Sequence, residues 1–172
     1  MRLHGSCHCG AVKFRVDTQT PYPYLRCYCS ICRKTAGGGG FAVNIMGDMG
    51  TLKVTGRRNL GVYRAKIRGR RSEGRRHFCK KCGSALWAWD VRWPDWVYPL
   101  ASAIDTPLPK PKEVHHIMLN YAAPWVDVAR GKGDKRFAEY PSESIEGWHR
   151  KRGLYGKSPA GPKTAKGRRA KS

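Results

Sequence analysis

Acidic residues are scarce in this sequence. Twelve Asp and Glu stand against 34 Lys and Arg among 172 residues, a formal net charge of +22, so the surface attracts anions and disfavours cationic partners. Long apolar runs are missing too. No stretch approaches the roughly 18 consecutive apolar residues of a membrane span, and residues 1–10 hold no apolar core of the kind a secretory signal needs. The expectation is a soluble, unexported, cytoplasmic protein without membrane contact. Apolar material is not lacking overall: it makes up 40% of the chain, with 6 Trp, 8 Tyr and 4 Phe, which excludes disorder throughout. The length suits one ordinary domain with a tail and excludes two large ones.

The positive charge falls in two blocks. Inside the domain, Arg57, Arg58, Arg64, Lys66, Arg68, Arg70, Arg71, Arg75 and Arg76 face the single acid Glu73. Near the C-terminal end, Arg150, Lys151, Arg152, Lys157, Lys163, Lys166, Arg168, Arg169 and Lys171 face none.

Cysteine, by contrast, is plentiful and clustered. The seven are Cys7, Cys9, Cys27, Cys29, Cys32, Cys79 and Cys82. An odd number excludes complete disulfide pairing, and a reducing compartment does not keep such bridges. The close spacings point to metal, with zinc the natural candidate. A structural zinc takes four ligands, whereas a catalytic zinc takes three and keeps one position open. Seven divides as four plus three: the pairs Cys7/Cys9 and Cys79/Cys82 make a closed site, and the triple Cys27/Cys29/Cys32 an open one. The expected complement is two Zn²⁺, one structural and one catalytic and labile. The residues leave other arrangements open. The triple could be closed by a seventh cysteine or by His4, His8 or His77; the thiols could be metal-free; or iron–sulfur ligation could apply, although the usual four-cysteine runs are absent.

Short runs bounded by Gly, Pro, Asn or Asp read as strands over residues 11–16, 39–46, 52–55, 60–67, 84–89, 96–103 and 115–120, an all-β pattern. One helix is expected over residues 141–154, with Ser142 as its cap, Glu143 and Glu146 at the positive end, and Arg150, Lys151 and Arg152 at the other. Ile145, Trp148 and Arg152 would share one face. Residues 157–172 read as a disordered basic tail, so the chain divides into a zinc-binding domain over residues 1–156 and that tail. Four glycines, Gly37 to Gly40, follow the cysteine triple, where backbone can approach a ligand closely or simply turn.

Three stretches resemble one family in order and spacing. They are Gly5-Ser6-Cys7-His8-Cys9-Gly10-Ala11-Val12, Cys27-Tyr28-Cys29-Ser30-Ile31-Cys32-Arg33-Lys34 and Phe78-Cys79-Lys80-Lys81-Cys82-Gly83-Ser84. With Pro124-Trp125-Val126, Tyr140-Pro141 and Trp148-His149, they resemble the glutathione-dependent formaldehyde-activating enzymes, a family that includes centromere protein V. The similarity spans residues 2–155 and leaves the basic tail outside it. The resemblance implies a compact all-β fold of the Mss4-like kind tied by two zinc sites. It places structural zinc on Cys7, Cys9, Cys79 and Cys82 and catalytic zinc on Cys27, Cys29 and Cys32. It also implies carbon–sulfur lyase chemistry, the condensation of formaldehyde with the glutathione thiol or its reverse, with glutathione or a similar thiol as partner.

The physical logic stands beside the resemblance. A zinc held by three thiolates lowers the pKa of a thiol or water in its fourth position. The three thiolates leave the unit at a net −1, so nearby cations would help hold an anionic reactant. Arg33 directly follows the last ligand and is the candidate catalytic cation; Lys34, Gly38 and Gly39 are candidate ligand-binding positions. Arg64 and Arg76 are more distant candidates for the two carboxylates of glutathione. His8 and His77 could each donate a hydrogen bond to a thiolate or lie at the surface. Ser30 could bond a ligand sulfur or cap a turn. Tyr28 and Phe41 could wall the open site, while Trp87, Trp89, Trp93, Trp96 and Trp125 read as packing. A second reading is a zinc-stabilised nucleic-acid-binding module using the basic surface and tail, nonspecifically because no recognised nucleic-acid motif appears. A third is a zinc-stabilised, chaperone-like binding domain without turnover.

Overall fold

The computed structural model describes residues 1–111 and 113–155; the expected tail, residues 157–172, lies outside the described residues. In chain order the elements are β1 (Arg2–Ser6), β2 (Lys13–Asp17), β3 (Tyr24–Cys27), α1 (Ser30–Ala36), β4 (Ala42–Asn44), β5 (Gly47–Asp48), β6 (Lys53–Thr55) and β7 (Leu60–Ile67). They continue with β8 (Arg70–Cys79), β9 (Ala85–Trp89), β10 (Trp96–Pro99), β11 (Val114–Ile117), β12 (Lys135–Arg136) and α2 (Ile145–Lys151). The described residues are therefore mostly β-sheet with two short α-helices. Its strands pair in three sheets, in the orders β1-β2-β6, β5-β10-β9-β8-β7 and β12-β11-β3-β4. Among the described residues the parallel pairings are those of β11, with β3 on one side and β12 on the other.

β1 and β2 alternate exposed and buried residues because one face of their sheet covers the core. Leu3, Phe14 and Val16 point inward to meet Val12, Ile45, Leu86 and Val97. The rings of Phe14 and Trp87 pack edge to face at 5.1 Å. Gly5 leaves room for that ring, since a Cβ there would collide with Phe14 and with the Ala103 carbonyl. Cys7 and Cys79 belong to the same core, which ties the first and last cysteine motifs to one rigid body.

The strand expected over residues 60–67 forms as β7 with those limits. Others are trimmed for local reasons. Pairing in the 11–16 segment starts only at Lys13, because Val12 closes the preceding turn by accepting from the Cys7 N–H at 3.0 Å. The 39–46 segment contributes only the short β4, with Ile45 and Met46 beyond its end. The 96–103 segment leaves the sheet after Pro99 and enters a 3-10 turn, Ala101–Ala103. The 115–120 segment stops at Ile117, because Met118 adopts a left-handed φ of 62°. The C-terminal helix is confined to Ile145–Lys151, and Ser144, not Ser142, caps it by accepting from the Gly147 N–H at 3.0 Å. Periodicity does not predict β1, β3, β8 or α1. β8 reads as a block of charge, yet it forms because backbone ladders to β7 and β9 hold it on both sides.

Candidate functional site

Two turns of similar shape carry the first cysteine group. After β1, the Gly10 N–H donates to the Cys7 carbonyl at 2.9 Å; after β8, the Gly83 N–H donates to the Cys79 carbonyl at 2.9 Å. Both glycines have positive φ, 71° and 73°, a conformation that favours Gly and lets each turn aim two sulfurs the same way. The His8 N–H donates to Ser84 Oγ at 3.1 Å and locks the turns together. The result is a cluster of Cys7, Cys9, Cys79 and Cys82, with all four ligand atoms within 4.8 Å of one another. The separations Cys7–Cys9 and Cys9–Cys79 are 3.6 and 3.8 Å. A tetrahedral ion with metal–sulfur bonds of about 2.3 Å requires sulfur–sulfur edges of about 3.8 Å, so the donors fit a four-coordinate metal. Hydrogen bonds from the Ser84 hydroxyl, the Ser84 N–H and the Cys9 N–H hold the Cys82 thiol down to about 5, which prepares it to act as a thiolate.

The second group forms at the junction of β3 and α1. Cys27 ends the strand, Cys29 occupies the N-cap of the helix, and Cys32 lies in its first turn, its N–H donating to Cys29 Sγ at 3.4 Å. Their sulfurs also lie within 4.8 Å of one another. Three donors on one side fit a metal that keeps a coordination position free. Hydrogen bonds from the Cys27 and Cys32 thiols push Cys29 far below the ordinary thiol range, while the neighbouring sulfurs push Cys27 up.

A buried hydrogen-bond chain fixes this junction from behind. The Tyr28 hydroxyl meets His116 Nδ1 at 2.8 Å, and His116 Nε2 meets Asp134 Oδ2 at 3.1 Å. Tyr28 and His116 are fully buried, and the chain reaches solvent only at its far end, where Asp134 is partly exposed. Phe41 packs on Tyr28 at 5.2 Å. Sequence reasoning missed His116 and Asp134, whose partners lie far away in the chain.

Cys32 opens onto a cavity of about 320 Å³ between α1, β4 and the large sheet. The register of β7, β8, β9 and β10 aligns Tyr63, Arg76, Ala88 and Tyr98 in one cross-strand row, and the first three line the cavity. The hydrogen bond with Cys27 and, more weakly, the Arg76 charge favour the Cys32 thiolate, but the hydrogen bond with Cys29, burial and the Cys29 charge outweigh them and push this thiol up to about 11. His77 stacks on Trp87 at 4.9 Å; burial lowers its pKa to about 4, so it is a neutral, packed ring. Tyr140 lies within electrostatic reach of the triple. Although 55% of that residue is exposed, desolvation and then the charge of the cysteine triple push its phenol up to about 12. Trp93 packs against both Tyr98 and Tyr140, at 6.5 and 6.2 Å. The sequence offered Tyr140 only as part of a Tyr-Pro dipeptide without a role.

The remaining candidates are spread around the triple. Arg33 is half-buried on α1, and its Nε has no hydrogen-bond partner among the described residues. Lys34, Gly38, Gly39 and Ser30 are exposed. Close packing involves the outer glycines of the run instead: Gly40 has a φ of 89° beneath Val126, and Gly37 lies against the Phe41 carbonyl. Arg64 is turned away to the β7–β8 hairpin, donating to the Ser72 carbonyl at 2.7 Å and to Glu73 at 2.8 Å.

Comparisons with known proteins identify the family. Residues 2–121 match the family model described as glutathione-dependent formaldehyde-activating enzyme. A Halomonas elongata protein that carries the same description in its name is 56% identical over 154 residues, covering 90% of this chain and 98% of the relative. A crystal structure of a Rhodobacter sphaeroides protein is similar with a TM-score of 0.50 and 27% identity, covering 62% of this chain and 91% of that one. With its matched cysteine motifs assembled into two clusters, the chain belongs to the glutathione-dependent formaldehyde-activating enzyme family.

Proposed function

We propose that the protein is a zinc-dependent carbon–sulfur lyase acting on the adduct of glutathione, or a similar thiol, with formaldehyde or another small aldehyde. One observation carries this reading: a three-sulfur cluster opens at Cys32 onto a cavity that Arg76 also lines. The closed cluster of Cys7, Cys9, Cys79 and Cys82 would hold a structural zinc, and Cys27, Cys29 and Cys32 a catalytic one, within an Mss4-like arrangement of small sheets. Bound at the triple, zinc supplies a Lewis acid that favours the thiolate form of a substrate thiol. The chain's own groups do the rest. Arg76, with Arg33 and Lys34 on the neighbouring helix, attracts the substrate's carboxylates. The exposed backbone at Gly38 and Gly39 offers a further ligand contact. Tyr140, protonated at neutral pH, can donate a hydrogen bond to the adduct's oxygen. In the cleavage direction the carbon–sulfur bond breaks with its electron pair going to sulfur, while the hydroxyl loses its proton as the carbonyl forms. Condensation is the reverse. Cysteines kept reduced for metal suit work in the cytoplasm.

The test is metal content and turnover of wild type beside Cys29→Ser. Two zinc ions per chain are expected in wild type and one in the variant, which should keep its circular dichroism spectrum and lose turnover of the formaldehyde–glutathione adduct. Full turnover in Cys29→Ser would remove the triple from the chemistry.

A further inference from the structure

The cavity beside Cys32 is larger and more apolar than a one-carbon adduct requires. Its volume of about 320 Å³ reaches the range of small-molecule pockets, whereas formaldehyde contributes a single carbon and its oxygen. Alanines make the hollow. Ala36 from α1, Ala42 from β4, and Ala85 and Ala88 from β9 all line it, and Phe78 and Leu100 supply further carbon surface. Ala88 stands between Arg76 and Tyr98 in the cross-strand row, so a bulkier residue there would fill the space. Glutathione itself does not suit such walls. Arg76 can meet one carboxylate from the cavity's edge, and Thr35, Asn44, Tyr63 and His77 add a few polar groups, too few to replace the hydrogen bonds to water that the amides, ammonium and second carboxylate would lose on burial.

We infer that this cavity is a subsite for the aldehyde-derived part of the substrate, and that the protein handles thiol adducts of aldehydes bearing an apolar chain of several carbons. The inference rests on the carbon–sulfur reading above. The adduct RS–CH(OH)–R′ would lie with its sulfur at the cysteine triple and R′ in the cavity, while the polar thiol portion stays outside. Cleavage breaks the carbon–sulfur bond with both electrons going to sulfur. The hydroxyl proton passes to that sulfur through solvent, and the products are RSH and R′CHO. No further reactant is needed.

The experiment uses the zinc-loaded full chain and two stable thioethers that cannot be cleaved, S-methylglutathione and S-butylglutathione, with binding followed by calorimetry. Each methylene taken into an apolar cavity raises affinity about fourfold, so S-butylglutathione is expected to bind at least about tenfold more tightly than the methyl compound. Ala88→Leu and, independently, Ala36→Leu should shrink that advantage to about twofold or less. Turnover is measured alongside with adducts of formaldehyde and of pentanal, the latter expected to have the higher kcat/KM. Equal binding of the two thioethers by a wild-type protein that cleaves the formaldehyde adduct would overturn the subsite and leave the carbon–sulfur reading standing. Absence of turnover with every adduct would bring down that reading, and the subsite with it.

Discussion

Arg64 and Arg76 are the same residue type on adjacent strands, but their surroundings divide them. Arg64 already has a carboxylate and a carbonyl as partners, while Arg76 lines the cavity with Cys32 and, although its charge acts on Asp90, makes no direct ion pair among the described residues. A charge-assisted hydrogen bond to a substrate carboxylate contributes about 1.5–3 kcal/mol. Arg76→Gln should therefore lower kcat/KM for a carboxylate-bearing adduct about 10- to 100-fold. Arg64→Gln should change it less than about twofold, because the group it loses is an exposed hairpin pair. Steady-state kinetics on the two variants checks the contrast, and equal losses would show that Arg76 has no special place at the site.

At the scale of elements, α2 shows how a short helix is held by tertiary contacts. Seven residues are too few to be stable alone, and the helix stays because Trp148 and His149 are buried. His149 Nε2–H donates to the Tyr22 carbonyl at 2.8 Å, and Trp148 Nε1–H donates to Glu113 at 3.0 Å. Burial lowers the His149 pKa below the ordinary imidazole value. The unfolded chain then binds this proton more readily than the folded one, so stability increases with pH through the window below about 6.5 and is lost as pH falls. Urea midpoints between about pH 7 and about pH 5 should fall more steeply for wild type than for His149→Gln, which has no imidazole to protonate. Parallel slopes for the two proteins would place the pH sensitivity elsewhere.

For the molecule as a whole, the two cysteine clusters have different mechanical consequences. The four-sulfur cluster joins turns 70 residues apart in sequence, and Cys7 and Cys79 lie in the main core. The triple closes only a local loop between β3 and α1. Metal binding free energy at a closed structural site counts as folding free energy, with values on the order of 10 kcal/mol. Cys79→Ser should therefore abolish the cooperative thermal transition, whereas Cys29→Ser should keep it. Calorimetric scans of both variants test this; similar melting of the two would mean that the closed cluster does not hold the fold together.

Some of this was decided by the sequence alone. Short spacings put two or three sulfurs on one turn without help from the rest of the chain, so the three cysteine groups were legible from the residues, whereas four plus three was one of several arrangements until the fold brought Cys7 and Cys9 to Cys79 and Cys82. The β7–β8 hairpin turn at Arg68 and Gly69, both with positive φ, is likewise local, although only β7 of its two strands carries a readable pattern. The rest required the tertiary structure. β3 and β11 pair in parallel across some 90 residues, and that pairing brings His116 behind Tyr28. Strand register, which no local pattern reports, puts Arg76 beside Ala88 at the cavity while Arg64 turns to the hairpin. The cavity itself is the space left where alanines from three separate elements meet; each alanine is unremarkable in sequence, and only their convergence makes a hollow beside the sulfurs.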